Sequence, residues 1–381
     1  MVKISGLNAN EVKMSNRSQI LQMLHLEACS RIELSRRMGL TRASISIIIN
    51  QLIEDGILRE GAHQAARGGR PSIAIEINPD AAYALGISLK RDCLRMGMMD
   101  LKGQIFGYRE FWMEAMPRET DGAMEVMEEC IGKIMEDTPM PGEFLGIGIS
   151  APGPLDSEEG IILNPPNFSR FQNVPIVERL KNKFGCQVLL ENDIIALALA
   201  ENVYGIRGKY DSFLEVCADC GLGSGLIHQG QRFRDMNGFG HISIDIHGPL
   251  CQCGNRGCVE LFAAIENIVD RAKRENIQLD SWKKIVDMAA LKEPTASRVL
   301  EEEAEYLAEA IVSAANVVGF DAVVLSGSLA YRFEYLAEKM KDIISKRVFK
   351  KREIEILASA LPERANVLAG AELLVAKWLK N

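Results

Sequence analysis

Three cysteines and a histidine stand close together: His241, then Cys251, Cys253 and Cys258, with glycines at 254 and 257. Cys-x-Cys sets two thiols side by side, and the glycines let the chain curl back to bring in the third. One imidazole with three thiolates suits tetrahedral zinc, and four protein ligands make a closed, structural site. His247 lies inside the same segment and is a rival for the imidazole position. The alternative, four unlinked residues with reduced thiols, is disfavoured by the spacing. The other cysteines are 29, 93, 130, 186, 217 and 220, which argue against a disulfide framework in a chain with no export signal.

A second group marks a strand-to-helix corner. Gln187–Leu190 reads as a strand, and an Ala/Leu helix starts directly after Glu191-Asn192-Asp193. Ligands of open α/β sheets bind beyond the carboxyl ends of strands. A carboxylate there can accept two hydroxyl hydrogen bonds, and a carboxamide can both donate and accept. The plainer role of Asp193 is to cap the helix. Asn167, in Asn164-Pro-Pro-Asn167, reads by itself as a turn residue.

Composition limits the rest. Of 381 residues, 47% are hydrophobic and 25% charged, enough apolar material to exclude a disordered chain. No uncharged run is long enough to span a bilayer, and the start lacks the apolar stretch of a signal peptide, so a cytoplasmic protein is expected. The net charge of −8 disfavours a general nucleic-acid binder, yet residues 1–75 carry +4 and the remainder −12. A basic head on an acidic body is an informative asymmetry.

The head predicts DNA binding. Asn16 is placed to cap a first helix, Ser30 and Glu33 form a capping-box pattern, Gly39 stops the second helix and Thr41 caps a third. In that third helix Ile45, Ile48, Ile49 and Leu52 line one face. Arg42, Ala43, Ser44, Ile47 and Asn50 face the other way. This is a helix-turn-helix whose last helix would enter the major groove. Strands near Leu58 and over Ser72–Glu76 suggest a wing. Between them Arg67-Gly-Gly-Arg70-Pro71 offers two arginines for a narrow minor groove, and the plain alternative is a flexible linker.

From about Asn78 strands alternate with helices. Tyr83–Leu89 and Leu94–Asp100 pair around Lys90-Arg-Asp92, Leu145–Ser150 is a buried strand, and a helix covers about 119–136. Phe213–Cys217 and Gly225–His228 flank a glycine-rich bend. Helices over about 259–274 and 300–318, strand Ala322–Leu325 and a last helix over 365–379 complete the body.

The run His241-x9-Cys251-x-Cys253-Gly-x-x-Gly-Cys258-x-Glu260 resembles the zinc signature of the repressor, open reading frame, kinase (ROK) family, and the resemblance extends over essentially the whole chain. The head with Arg67-Gly-Gly-Arg70-Pro71 is similar to the family's transcription factors. The resemblance implies an α/β fold: a winged helix-turn-helix over 1–77, then a two-lobed, actin-like, ribonuclease H-like body of the sugar-kinase type. Its lobes are expected at 78–190, completed by the C-terminal helix, and at 191–364. It also favours His241 over His247 as the zinc ligand. Asn167, Asn192, Asp193, His241 and Glu260 become sugar-binding residues, with His241 able to serve zinc through one nitrogen and the sugar through the other.

Three departures qualify what the resemblance implies. Gly238 stands where the family carries a sugar-binding Glu, which leaves space and less negative charge and suggests a bulkier or anionic effector. Ser88-Leu-Lys-Arg-Asp92 replaces the kinase phosphate loop with a polar hairpin turn. Asp219–Gly225 keeps its glycines, but the third loop is only Ser326-Gly-Ser328. The expectation is a sugar-responsive regulator, most readily a repressor of carbohydrate-utilisation genes, binding double-stranded operator DNA as a homodimer or homotetramer. Its effector is a sugar or sugar phosphate, and it is not an enzyme. The alternative is a sugar kinase with a regulatory DNA-binding head.

Overall fold

A computed structural model describes residues 8–64, 72–233, 238–362 and 364–380. Asn8 starts the first helix, α1 (Ala9–Leu26). Its side chain accepts from the Glu11 N–H at 2.9 Å while Glu11 accepts from the Asn8 N–H at 2.7 Å. That reciprocal cap satisfies two end donors at once, so the helix starts there, and Asn16, expected as the cap, lies in its middle. After the two-residue strand β1 (Cys29–Ser30), Ser30 caps α2 (Arg31–Met38), accepting from the Glu33 N–H at 3.2 Å. The Glu33 carboxylate turns instead to Arg36 and Arg37, so only half the expected capping box forms. Gly39 closes α2 at φ 66°, a left-handed conformation that glycine adopts without Cβ strain. Thr41 caps α3 (Arg42–Glu54), which buries Ile45, Ile49 and Leu52.

Strands β2 (Leu58–Gln64) and β3 (Ser72–Ile77) follow as an antiparallel pair, with β1 on the outer side of β3. This is the element order of a winged helix-turn-helix. Arg67 and Arg70 lie outside the described residues.

Two compact units divide the chain: Met1–Ala196 with Pro362–Asn381, and Leu197–Leu361. The head belongs to the first unit. The sheet of that unit is built from β4 (Ala82–Leu89), β5 (Cys93–Asp100), β6 (Ile105–Trp112), β7 (Glu143–Ala151) and, after the short hairpin β8 (Leu155–Asp156) and β9 (Ile161–Ile162), β10 (Val188–Asn192). Its order is β10-β7-β4-β5-β6, with the first three parallel. Helices α4 (Thr120–Asp137) and α5 (Ile176–Phe184) cover one face, packing Met127, Ile131 and Leu180 on Leu85, Ile87, Ile147 and Ile149. Helix α6 (Asp193–Ala200) leaves from β10.

The second unit holds β11 (Phe213–Ala218), β12 (Leu222–His228) and β13 (Gln231–Arg232), then α7 (Glu260–Ala263), α8 (Ile265–Glu275), α9 (Trp282–Ala290) and α10 (Pro294–Val317), and finally β14 (Ala322–Gly327), α11 (Glu334–Arg347) and β15 (Glu355–Ala358). Its sheet runs β13-β12-β11-β14-β15, and α10 packs Leu307 and Ile311 against Leu214, Val216 and Leu325. The single helix expected over 259–274 is broken at Ala264, whose ψ of 134° is extended. The glycine-rich bend is also shorter than expected, since β12 begins at Leu222 and takes in Gly223.

The chain then returns to the first unit as α12 (Ala365–Trp378), on the sheet face opposite α4. Glycines make this contact possible. A Cβ on Gly148 would lie 1.9 Å from the Gly370 carbonyl oxygen, and one on Gly86 would lie 2.0 Å from that of Val367. Helix and sheet thus meet backbone to backbone. No helix among the described residues is long and apolar enough to cross a membrane.

Candidate functional site

In the second unit His241, Cys251, Cys253 and Cys258 each offer one ligand atom, and these atoms all lie within 4.8 Å of one another. The Cys251 Sγ is 3.7 Å from the His241 Nδ1, and the Cys253 Sγ is 3.6 Å from the Cys258 Sγ. Ligands about 2.0–2.3 Å from a tetrahedral ion stand about 3.5–3.8 Å apart, so the donor set and its spacing fit such an ion. The chain achieves this by turning at Gly254 and Gly257, both at positive φ; a Cβ on Gly257 would meet the Asp245 carbonyl oxygen at 1.8 Å. His247, the rival ligand, is not in the cluster; its N–H bonds the Asp245 carboxylate instead. Burial pushes the Cys258 thiol up to about 12, while the Asn255 backbone N–H holds Cys253 below its ordinary value. A bound cation would deprotonate both.

The same fold places His241 and Glu260 near the start of β12. Val259 donates to the Ile242 carbonyl, and the Glu260 Oε2 accepts from the Leu222 N–H at 3.1 Å. Gly240 is required here, because its Cβ would lie 2.2 Å from the Leu222 carbonyl oxygen. Gly238 is exposed, and a Cβ there would meet nothing within 4 Å.

Asn167, Asn192 and Asp193 belong to the first unit. Asn192, not Asp193, does most of the capping of α6: its Oδ1 accepts from the Ile194 N–H at 3.1 Å and the Ile195 N–H at 3.4 Å. The Asp193 carboxylate is held by backbone N–H groups at the start of α6, accepting from the Ile194 N–H at 3.0 Å through its Oδ1. Burial raises the Asp193 carboxyl above the ordinary carboxylate range, against the opposing pull of Lys90 and then Arg91. Asn167 is exposed and left-handed at φ 56°, in a turn fastened by the Arg91 Nε, which donates to the Pro166 carbonyl at 2.8 Å. The Lys90–Asp92 stretch is a tight hairpin turn, with the Lys90 N–H donating to the Cys93 carbonyl. Ser88 is wholly buried in β4, and its hydroxyl has no partner among the described residues.

On the head, Arg42, Ala43 and Asn50 are exposed on α3, and so is Ile47. Arg42 has no ion pair among the described residues. The Ser44 hydroxyl lies 2.9 Å from that of Thr41, so it shares in the cap and keeps further hydrogen-bonding capacity.

Other groups escaped the sequence reading. Glu215 on β11 and Glu303 on α10 are fully buried; among the described residues neither carboxylate oxygen of Glu303 has a hydrogen-bond partner, and Glu215 has only the Ser326 side chain beside it. Burial pushes both carboxyls well above their ordinary value, reinforced at Glu215 by Glu201 and opposed at Glu303 by Arg271. The only sequence signal is a lone Glu inside an apolar strand or on the apolar face of a helix.

Comparison with known proteins adds a family. A ROK family profile matches residues 84–377. The chain is 27% identical over 377 residues to the xylose repressor of Bacillus subtilis, covering 97% of each chain. It is 26% identical over 392 residues to the N-acetylglucosamine repressor of Shigella flexneri, covering 98% of this chain and 95% of that one. Among solved structures it is similar to a ROK family transcriptional regulator, a homologue of the E. coli MLC protein, with TM-score 0.80 at 25% identity over 97% of each chain. A ROK hexokinase from Thermus thermophilus gives TM-score 0.64 at 25% identity, covering 78% of this chain and 98% of that one. The body accordingly has the actin-like, two-lobed fold of the ROK sugar kinases.

Proposed function

The chain belongs to the ROK family, and from that premise we propose that it is a sugar-responsive transcriptional repressor of carbohydrate-utilisation genes. One observation carries the reading. The likeness to repressors runs through the head, over 97% of the chain, whereas the hexokinase covers 78% of it. The names of the relatives, xylose and N-acetylglucosamine repressors, support a sugar effector and operator DNA.

In this reading α3 enters the major groove with Arg42, Ala43, Ser44 and Asn50 toward the base edges, and Arg67 and Arg70 reach the minor groove. A homodimer or homotetramer presents two heads to two half-sites. Zinc on His241, Cys251, Cys253 and Cys258 holds the loop that positions His241 and Glu260. Asn167, Asn192, Asp193, His241 and Glu260 are the residues proposed to bind the effector. The effector shifts the chain toward a state that binds operator less well, which requires different affinity for the two states. The site of action is the cytoplasm, on the nucleoid when operator-bound.

The second reading, a sugar kinase with a DNA-binding head, draws on Asp193, which in family kinases matches the general base. Against it stands the β4–β5 turn, where Lys90 and Arg91 occupy the place of phosphate-cradling glycines. The test is operator footprinting of the full chain and its Arg42→Ala and Asn50→Ala variants, beside an assay of sugar-dependent ADP release. A repressor footprints the DNA upstream of its own coding region, loses the footprint with either variant and releases no ADP. Sugar-dependent ADP release abolished by Asp193→Asn, without a footprint, would establish the kinase.

A further inference from the structure

Strands β10, β7 and β4 run parallel and end level with one another. Ser88 pairs with Ser150, Ser150 with Glu191, and Ala151 with Asn192. The residues just beyond these ends therefore share one edge of the sheet: Lys90 and Arg91 after β4, and Asp193 after β10. Arg91 also ties this edge to the Asn167 turn through the Pro166 carbonyl. The edge is therefore cationic beside the candidate sugar corner.

Its charge is not neutralised from within. Among the described residues neither Lys90 nor Arg91 forms an ion pair with a carboxylate, and both are half-buried. The nearest acid in sequence, Asp92, is exposed and is engaged by Arg95 at 3.2 Å. Asp193 feels both cations, yet burial keeps its carboxyl above the ordinary range. A partly desolvated basic pair that forms no ion pair attracts an anion.

We propose that Lys90 and Arg91 form an anion seat beside Asn167, Asn192 and Asp193, so that the effector is a sugar bearing a negative charge, a phosphate monoester or a carboxylate, rather than a neutral sugar. The proposal rests on the reading of that corner as the effector site. Arg91 supplies a planar fork of donors, while Lys90 acts as a movable point charge. The polar hairpin that replaces the kinase phosphate loop is then a specificity element.

The first test needs no knowledge of the sugar. Inorganic phosphate, added to the full chain at constant ionic strength against a chloride control, should raise its melting temperature by about 3–5 °C at ten times its Kd. Lys90→Gln, which removes a charge without touching the Pro166 tie, should abolish the rise, and so should Arg91→Gln. No rise, or a rise unchanged in Lys90→Gln, overturns the seat. The second test titrates the full chain with glucose, glucose 6-phosphate, ribose, ribose 5-phosphate and glucuronate. A charged probe should bind at least about tenfold tighter than its neutral parent, a gap Lys90→Gln closes. Preference for phosphate over glucuronate, or the reverse, identifies which anion is used. Neutral sugars binding as tightly as charged ones overturn the seat and leave the sugar-responsive reading standing. A phosphate effect that Lys90→Gln abolishes, with operator affinity indifferent to every sugar, supports the seat and counts against that reading.

Discussion

Glu372→Gln tests how the head is held. His25 on α1 places its Nε2 3.2 Å from both carboxylate oxygens of Glu372 on α12, with side chains only 5% and 1% exposed. Ser18 adds a bond from its hydroxyl to the Leu379 carbonyl at 3.0 Å. Thus the first helix of the head rests on the last helix of the chain, and that helix lies directly on β4 and β7, whose far ends carry the candidate effector corner. A hydrogen bond to a charged group contributes about 1.5–3 kcal/mol. Gln keeps an acceptor and loses the charge, so Glu372→Gln should cost about 1–2 kcal/mol. His25→Ala removes this bond and leaves a cavity where the buried imidazole packed, and should cost about 3 kcal/mol or more. At about 2–4 °C per kcal/mol for a unit of this size, the melting temperature should fall by about 2–8 °C and by at least about 6 °C, respectively. Calorimetry of the full chain reads both. Limited proteolysis should show the head released before the body melts, and effector-driven release from operator should weaken several-fold, the scale of ordinary coupling energies. A His25→Ala protein that melts like the wild type and responds normally to effector would refute this account of head docking.

Glu215 and Glu303 have folded-state pKa values raised above their ordinary 4.5, so the stability they favour is full below about pH 4.5 and is lost as pH rises toward those values. Glu303→Gln and Glu215→Gln should therefore gain stability over the wild type as pH rises from about 6 to 9; parallel wild-type and variant melting curves across that range would contradict this. Gly148→Ala puts a methyl 1.9 Å from a backbone oxygen and should destabilise by at least about 3 kcal/mol, whereas Gly132→Ala on α4, with nothing within 4 Å, should stabilise by about 0.5–1 kcal/mol. Elemental analysis should find one zinc per chain, and a chelator or Cys258→Ser should lower the melting temperature; metal-free protein with an unchanged melt would remove zinc from the account.

Much of this was legible because local chemistry decided it. Thr41 and Gly39 fix the ends of α3 and α2 whatever the rest of the chain does, and Cys251 to Cys258 are too near in sequence to be placed otherwise. The turn at Lys90–Asp92 was legible too, as a hairpin between two apolar strands. Its meaning was not, since only the parallel register of β4, β7 and β10 sets it beside Asp193. Asn16 misled because it is a good capping residue overruled by a reciprocal cap at Asn8 and Glu11. Strand β6, with Tyr108, Arg109 and Glu110, has a polar, half-exposed pattern that hides an edge strand. Helices α9 and α11 are short amphipathic pieces whose partner is α10, and they show only once α10 is in place. The role of Asn192 as the cap of α6 turns on which of two adjacent polar side chains points back, a choice local sequence does not make.

The central claim is tested most directly by fluorescence anisotropy on the DNA immediately upstream of the coding region, titrated with the full chain at fixed salt, with and without a panel of neutral and charged sugars. The account predicts tight binding that weakens steeply with added salt and is released by one charged sugar at concentrations that leave a scrambled DNA unaffected. Tight binding indifferent to every compound, or no binding with measurable ATP turnover, would contradict it.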